Sequence, residues 1–216
     1  MRPLGASYIE GRAGARKALA SRPVIRRRPP VSGVRSSAGY TGTAKGLHWL
    51  AALCVVSAWL LGELVDTFPK DAERAVVFTH VTFGLTVLAL VFVRLGWRVG
   101  HPPPPLLPSL FSPWAERLAL LVHGVLYLLM LAVPTAGIVW LFARGQSLPL
   151  FGLAEIASPW ARDRTLSRSV GEIHELLANV LFFLALFHAL VALAHHYVLK
   201  DDTLRRMLPA GHGSAR

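Results

Sequence analysis

Cysteine is almost absent from these 216 residues: Cys54 is the single one. No disulfide can form within the chain, and no C-x-x-C-H run exists to attach a haem covalently. Charge is also scarce. Charged residues make up 16% against 53% hydrophobic, with a mean hydropathy of +0.47. Such a balance excludes an ordinary soluble domain and points to an integral membrane protein. Acids are fewer still, 12 against 23 lysines and arginines, a formal net charge of +11. That excess does not indicate nucleic acid, because the positive residues sit between apolar runs, in the loop pattern of membrane proteins. No internal repeat is visible, and the length suits one domain.

What the chain does have is four long apolar runs. They predict spans at about 45–65, 75–97, 114–142 and 170–199. Ahead of them, residues 1–45 hold ten Lys or Arg and the single acid Glu10 among Pro, Ala, Gly and Ser, a composition that cannot build a core. Arg26-Arg27-Arg28 lies about twenty residues before the first apolar run, too far for a twin-arginine export signal, so a cytoplasmic tail or an over-long start is expected. The expected division is therefore a basic tail over 1–40, a four-span domain over 41–209 and a short tail over 210–216. Four spans put both termini on one side. The basic tail and the basic 98–113 loop, set against the acidic 66–74 loop, place that side in the cytoplasm. Pro102 to Pro105 make the second connection extended, and Pro134 should kink the third span.

The fourth run contains His174 and His188, fourteen residues apart. Fourteen helical steps return to within about 40° of the starting face and rise about 21 Å. The two imidazoles thus share a face while sitting at opposite depths of a ~30 Å apolar core. Following the chain through the membrane supplies a partner for each. His80, early in the second span, lies at the outer level with His174. His48, early in the first, lies at the cytoplasmic level with His188, although it reads more than a turn too shallow. Two neutral imidazoles from different helices at each level are what a six-coordinate, non-covalent b-type haem requires. Four residues after each of these histidines stands a small side chain, Ala52, Gly84, Ala178 or Ala192, leaving room for a flat macrocycle. Zinc fits poorly, since it wants clustered ligands. His123 is left without a partner at its depth and is expected to hydrogen-bond across helices.

Several segments extend this picture: Leu47-His48-Trp49; Thr79-His80-Val81-Thr82-Phe83-Gly84 with Val93-Arg94-Leu95; Pro102 to Pro105; Tyr127-Leu128-Leu129 with Pro134 and Gly137; and Arg144-Gly145. His174-Glu175-Leu176-Leu177-Ala178-Asn179 follows, then His188, Ala194-His195-His196-Tyr197, Lys200-Asp201 and Leu204-Arg205-Arg206-Met207. With these motifs, about residues 40–209 resemble the bacterial cytochrome b-561 family. The resemblance implies an all-α, integral membrane four-helix bundle of the bacterial inner membrane with two haem b groups. It implies His48, His80, His174 and His188 as axial ligands and ubiquinone as a redox partner. For some members it implies superoxide as electron donor. Ile173 departs from the family, where an aromatic often precedes the ligand.

On this basis the expected chemistry is one-electron oxidation of superoxide at the outer face with reduction of ubiquinone within. Arg144, Arg162 and Arg164, with Arg168, would form a positive mouth that steers the anion. Arg94 would meet the inner haem's propionates, Gly84 would leave room for the ring, and His195, His196 and Tyr197 would form the quinone site. Two other classes remain open: a cytochrome b subunit draining a partner dehydrogenase or hydrogenase into quinone, and a non-redox scaffold or transporter with satisfied histidines.

Overall fold

The computed structural model describes residues 39–102, 104 and 113–208. The expected basic tail up to residue 38, the second and fourth residues of the proline run, and the residues from 209 on lie outside the described part. Within the unit spanning 37–216, four helices dominate: α1 (Gly42–Glu63), α2 (Lys70–Gly100), α3 (Pro113–Ala143) and α4 (Arg164–Ala194). All four are long and apolar enough to cross a membrane. A 3-10 turn at Val65–Thr67 joins the first two, and a small antiparallel hairpin, β1 (Leu148–Leu150) and β2 (Ala154–Ile156), sits between the last two.

Each helix packs along its chain neighbour, and α1 meets α4 more lightly to close the ring. That is the up-down connectivity of a four-helix bundle. Its buried centre is built from Ala51, Cys54 and Val55 of α1, Val87, Leu90 and Val91 of α2, Leu129 and Met130 of α3 and Leu181 of α4. The outside is apolar. Leu53, Phe92, Leu121, Leu128, Phe183 and Leu190 are all exposed, which suits lipid, where a helix must satisfy its backbone internally. Threonines follow the same rule: Thr79, Thr82, Thr86 and Thr135 each donate to the carbonyl four residues back. One cross-helix tie joins α1 to α4, where Trp59 Nε1 donates to Asn179 Oδ1 at 2.9 Å and the indole stacks on Phe182 at 3.7 Å.

Two features differ from the sequence expectation. The first is α4, which begins at Arg164 and not near Val170, because Asp163 caps it by accepting from the amides of Thr165 and Leu166 at 2.9 and 3.0 Å. Arg164 and Arg168 therefore stand on the first turns of a helix and not in a loop. The second is the hairpin, whose two strands are too short to leave a periodic signal. Its turn runs Leu150-Phe151-Gly152-Leu153, closed by Leu153 N–H to Leu150 O at 2.9 Å. Phe151 and Gly152 have φ of 55° and 74°, the two positive values of a type I′ turn.

Gly152 also faces Phe78, and a Cβ there would lie 3.4 Å from its ring. A β-branched residue in this left-handed position costs about 1–2 kcal/mol before any contact is counted. Gly152→Val is expected to lower the thermal midpoint of helix loss by several degrees, measured by circular dichroism in detergent, while Leu153→Val, at a 90% exposed residue, leaves it unchanged.

Candidate haem sites

The bundle brings histidines together at two levels. At the hairpin end, the rings of His80 and His174 lie 6.0 Å apart between centroids, inclined at 75°. At the opposite end, where α1 begins and α4 ends, His48 and His188 lie 6.4 Å apart at 76°. A first-row metal binds imidazole nitrogen at about 2.0–2.1 Å. Two imidazoles that shared one such metal would have ring centroids roughly 6 Å apart, close to both separations.

The hairpin-end pair is held in a repeated way. His80 Nδ1 donates to Ala58 O of α1 at 2.8 Å, and His174 Nδ1 donates to Val133 O of α3 at 3.0 Å. With Nδ1 protonated and engaged, each Nε2 keeps its lone pair for a metal. Four residues after each accepting carbonyl stands a glycine, Gly62 or Gly137. A Cβ at either would lie 3.1 Å from Cε1 and 3.3 Å from Nδ1 of the facing imidazole. Each ring therefore lies against a helix backbone that has no side chain at that point. Gly62 escaped the sequence reading; a glycine near the end of the first span is its only signal. Gly171 does the same for Trp140, since a Cβ there would meet the indole at 3.0 Å. That indole lies 5.8 Å from His174, and the Arg144 guanidinium lies 5.5 Å over it.

Arg162 packs at Gly145, whose φ is +70° and whose Cβ position lies 3.4 Å from the Arg162 Cβ. The amide of Asp163 donates to Ala143 O at 2.9 Å. Arg144 and Arg162 are thus neighbours, with Arg164 just beyond. All three, and Arg168, are exposed, and among the described residues none of the four is in an ion pair.

The second level is built differently. Arg94 Nη2 approaches His48 Nδ1 at 3.5 Å, a long contact, and its guanidinium lies 5.3 Å over the Tyr127 ring. The helix start at Gly42, earlier than expected, supplies the depth His48 lacked in the sequence reading. His123 departs from expectation. It lies 5.1 Å from His188, and its Nδ1 donates to Ala119 O of its own helix at 2.6 Å, not across to another. Assigning His188 to one partner had concealed that three helices meet at this level. Gly84 faces open space, with nothing within 4 Å of its Cβ position.

The proposed quinone residues lie past the end of α4, in a π-helical turn from His195 to Leu199. His195 Nδ1 donates to Asp201 Oδ2 at 2.6 Å. His196 is half-buried, its Nδ1 enclosed without a hydrogen-bond partner, and its ring lies 4.8 Å from Tyr197, which is 71% exposed. Burial pushes the Asp201 carboxyl up, but hydrogen bonds from His195 and Thr203 outweigh this and hold it below its ordinary value.

The model of the prokaryotic cytochrome b561 family matches residues 39–210. The chain belongs to that family. It is 39% identical over 170 residues to a protein of Yersinia pestis described as "Probable superoxide oxidase CybB", covering 78% of this chain and 94% of that one. It is 34% identical over 166 residues to "Cytochrome b561 homolog 1" of Escherichia coli, with 76% and 93% covered. It is 35% identical over 178 residues to "Cytochrome b562" of Cereibacter sphaeroides, with 79% and 95% covered. As a prokaryotic cytochrome b561, the chain is a bacterial membrane cytochrome b of electron transport, and its cofactor is b-type haem.

Gly62→Ala and Gly137→Ala each force an imidazole to move by a few tenths of an ångström. Both are expected to lower the haem-to-protein ratio after purification, read from the reduced α-band. Gly96→Ala, whose added Cβ meets nothing within 4 Å, retains the full ratio.

Proposed function

We propose that this cytochrome moves electrons across the bacterial inner membrane, from superoxide at the hairpin end to ubiquinone at the other. Both termini are cytoplasmic, so the hairpin end is the outer face. Residues 41–209 form a di-haem domain between tails at 1–40 and 210–216. His80 with His174, and His48 with His188, hold two non-covalent b haems, which supply the one-electron chemistry when bound. The observation behind this reading is that one helix presents two imidazoles about 21 Å apart along its axis, each facing a histidine of another helix at 6.0 or 6.4 Å. His123, at 5.1 Å from His188, is too close to be the ligand opposite it. Arg94, beside His48, offers its guanidinium to a propionate, and Gly84 leaves the neighbouring space open.

At the outer face, Arg144, Arg162, Arg164 and Arg168 raise the local concentration of a small anion. The Trp140 ring lies 5.8 Å from His174 and 5.5 Å from the Arg144 guanidinium, so an anion captured at Arg144 would lie one aromatic ring from His174. The balance is simple: two superoxide ions give one electron each and leave as dioxygen, and one ubiquinone takes both electrons and two protons. The description of the Yersinia pestis relative supports the donor. At the inner face, His195, His196 and Tyr197 form the quinone site.

A second reading makes the chain the membrane subunit of a partner dehydrogenase or hydrogenase that delivers electrons to the quinone pool. It is favoured by relatives described only as cytochromes b561 or b562. Reduction of the purified cytochrome by superoxide alone supports the first reading. Reduction only after a partner is added overturns it.

His48→Ala and His174→Ala are each expected to halve the haem per protein and leave the other centre spectroscopically intact; loss of both haems from either variant contradicts the pairing. Replacing Arg144, Arg162 and Arg164 with glutamine is expected to slow haem reduction by superoxide about tenfold at low salt. The same change should flatten the salt dependence in stopped-flow measurements.

A further inference from the structure

We propose that Asp201 is the positioning residue of a proton-delivery dyad with His195 that serves ubiquinone reduction; this rests on the quinone reading above. The dyad depends on how α4 ends. In a continuing α-helix, a residue six positions on points about 120° away and lies about 9 Å further along the axis, out of reach of the His195 ring. Instead the chain takes a π-helical turn over His195–Leu199, a feature frequent at functional sites. Lys200 then adopts φ 55° and ψ 36°, a left-handed conformation that a lysine holds only where its surroundings impose it. The amide of Asp201 donates back to His195 O at 3.1 Å, and the carboxylate folds over the ring.

Both carboxylate oxygens are engaged. Oδ2 accepts from His195 Nδ1 at 2.6 Å, and Oδ1 accepts from the Thr203 amide at 2.9 Å. The segment beyond is fastened to α1, where Trp49 Nε1 donates to Met207 O at 2.9 Å and Lys45 Nζ donates to Leu208 O at 2.8 Å. Asp201 is therefore a fixed acceptor and not part of a loose tail. The side chains of His195 and Asp201 are 32% and 31% exposed, within reach of water and of a headgroup.

The chemistry follows from the tautomer. A proton fixed on Nδ1 by a carboxylate leaves Nε2 as the site that takes up and releases the mobile proton. In the proposed step the Nε2–H bond of His195 breaks and an O–H bond forms on the quinone. The quinone's two electrons come from two superoxide ions, and His195 regains its proton from cytoplasmic water. The Asp201 carboxylate stays ionised throughout and balances the imidazolium charge.

The test uses the haem-loaded protein, reduced with one equivalent of dithionite per haem pair and mixed with ubiquinone-1, following decay of the reduced α-band. Asp201→Ala is expected to slow the saturated rate by tenfold to a hundredfold, with the half-saturating quinone concentration and haem content unchanged. Asp201→Glu should restore most of the rate. Because Asp201 acts through His195, the double variant His195→Gln with Asp201→Ala should be no slower than His195→Gln alone. If Asp201→Ala loses haem, Asp201→Asn, which keeps the acceptor and drops the charge, makes the same comparison. Wild-type rates in the Asp201 variants, or fully additive losses in the double variant, overturn the dyad and leave the quinone reading standing. A wild-type protein whose reduced haem ubiquinone-1 cannot reoxidise overturns both.

Discussion

An imidazole inside a bilayer must find a partner, and this constraint orders the bundle. Lipid offers no hydrogen bonds, so a histidine in a span either bonds to protein or binds something. At the hairpin end each ring meets the demand twice, once through Nδ1 to a carbonyl of a neighbouring helix and once by facing another imidazole. The carbonyls of Ala58 and Val133 and the bare backbone at Gly62 and Gly137 form two copies of one device on α1 and α3. His80 is thereby tied to α1 and His174 to α3. The two strongly packed helix pairs, α1 with α2 and α3 with α4, are the pairs those ties join. The glycines therefore set the helix spacing as much as they make room. Pro134 removes from the α3 ladder the amide that would bond the Met130 carbonyl, about one turn before the carbonyl that His174 uses.

The two levels share a ring spacing but not a chemistry. His80 and His174 are braced by neutral backbone and walled by aromatic Trp140. His48 and His188 sit among an arginine, a tyrosine and a third imidazole. A cationic, polar surrounding favours added negative charge, whereas a neutral one does not. The electron flow proposed above, toward the level of Arg94, runs in the direction that this asymmetry would favour.

Much of this was legible from residues alone because depth in a membrane is a one-dimensional coordinate. Span boundaries and direction of travel assigned His80 to the level of His174 and His48 to that of His188, and the structure brings those rings within 6.4 Å or less. What depth does not encode is rotation about the bundle axis. His123 illustrates the gap: its level was readable, but not that α3 turns it toward a site already holding two histidines. Gly62 was illegible for a related reason, since its role is defined by a ring on another helix. The early start of α4 at Asp163 was missed because hydropathy marks where lipid begins, not where a capped helix begins. Asp201 was hidden by a left-handed lysine, a backbone choice that composition does not announce.

The arginines at the hairpin end can be weighed in the same terms. In the proposed orientation a positive loop on the far side of the membrane runs against the usual bias, and a protein without use for that charge would gain from neutralising it. Yet acids are at hand, Glu155 and Asp163, and both are spent elsewhere. Glu155 accepts from Ser147 at 2.7 Å, and Asp163 caps α4. Asp163 accepts two amides and stands between Arg162 and Arg164 in sequence without pairing with either. These two carboxylates serve hairpin and cap, and among the described residues no ion pair engages Arg144, Arg162, Arg164 or Arg168. A solvated loop would need no such separation. Under the proposed anion-steering role the separation has a use, because each internal ion pair would weaken the positive field at this end.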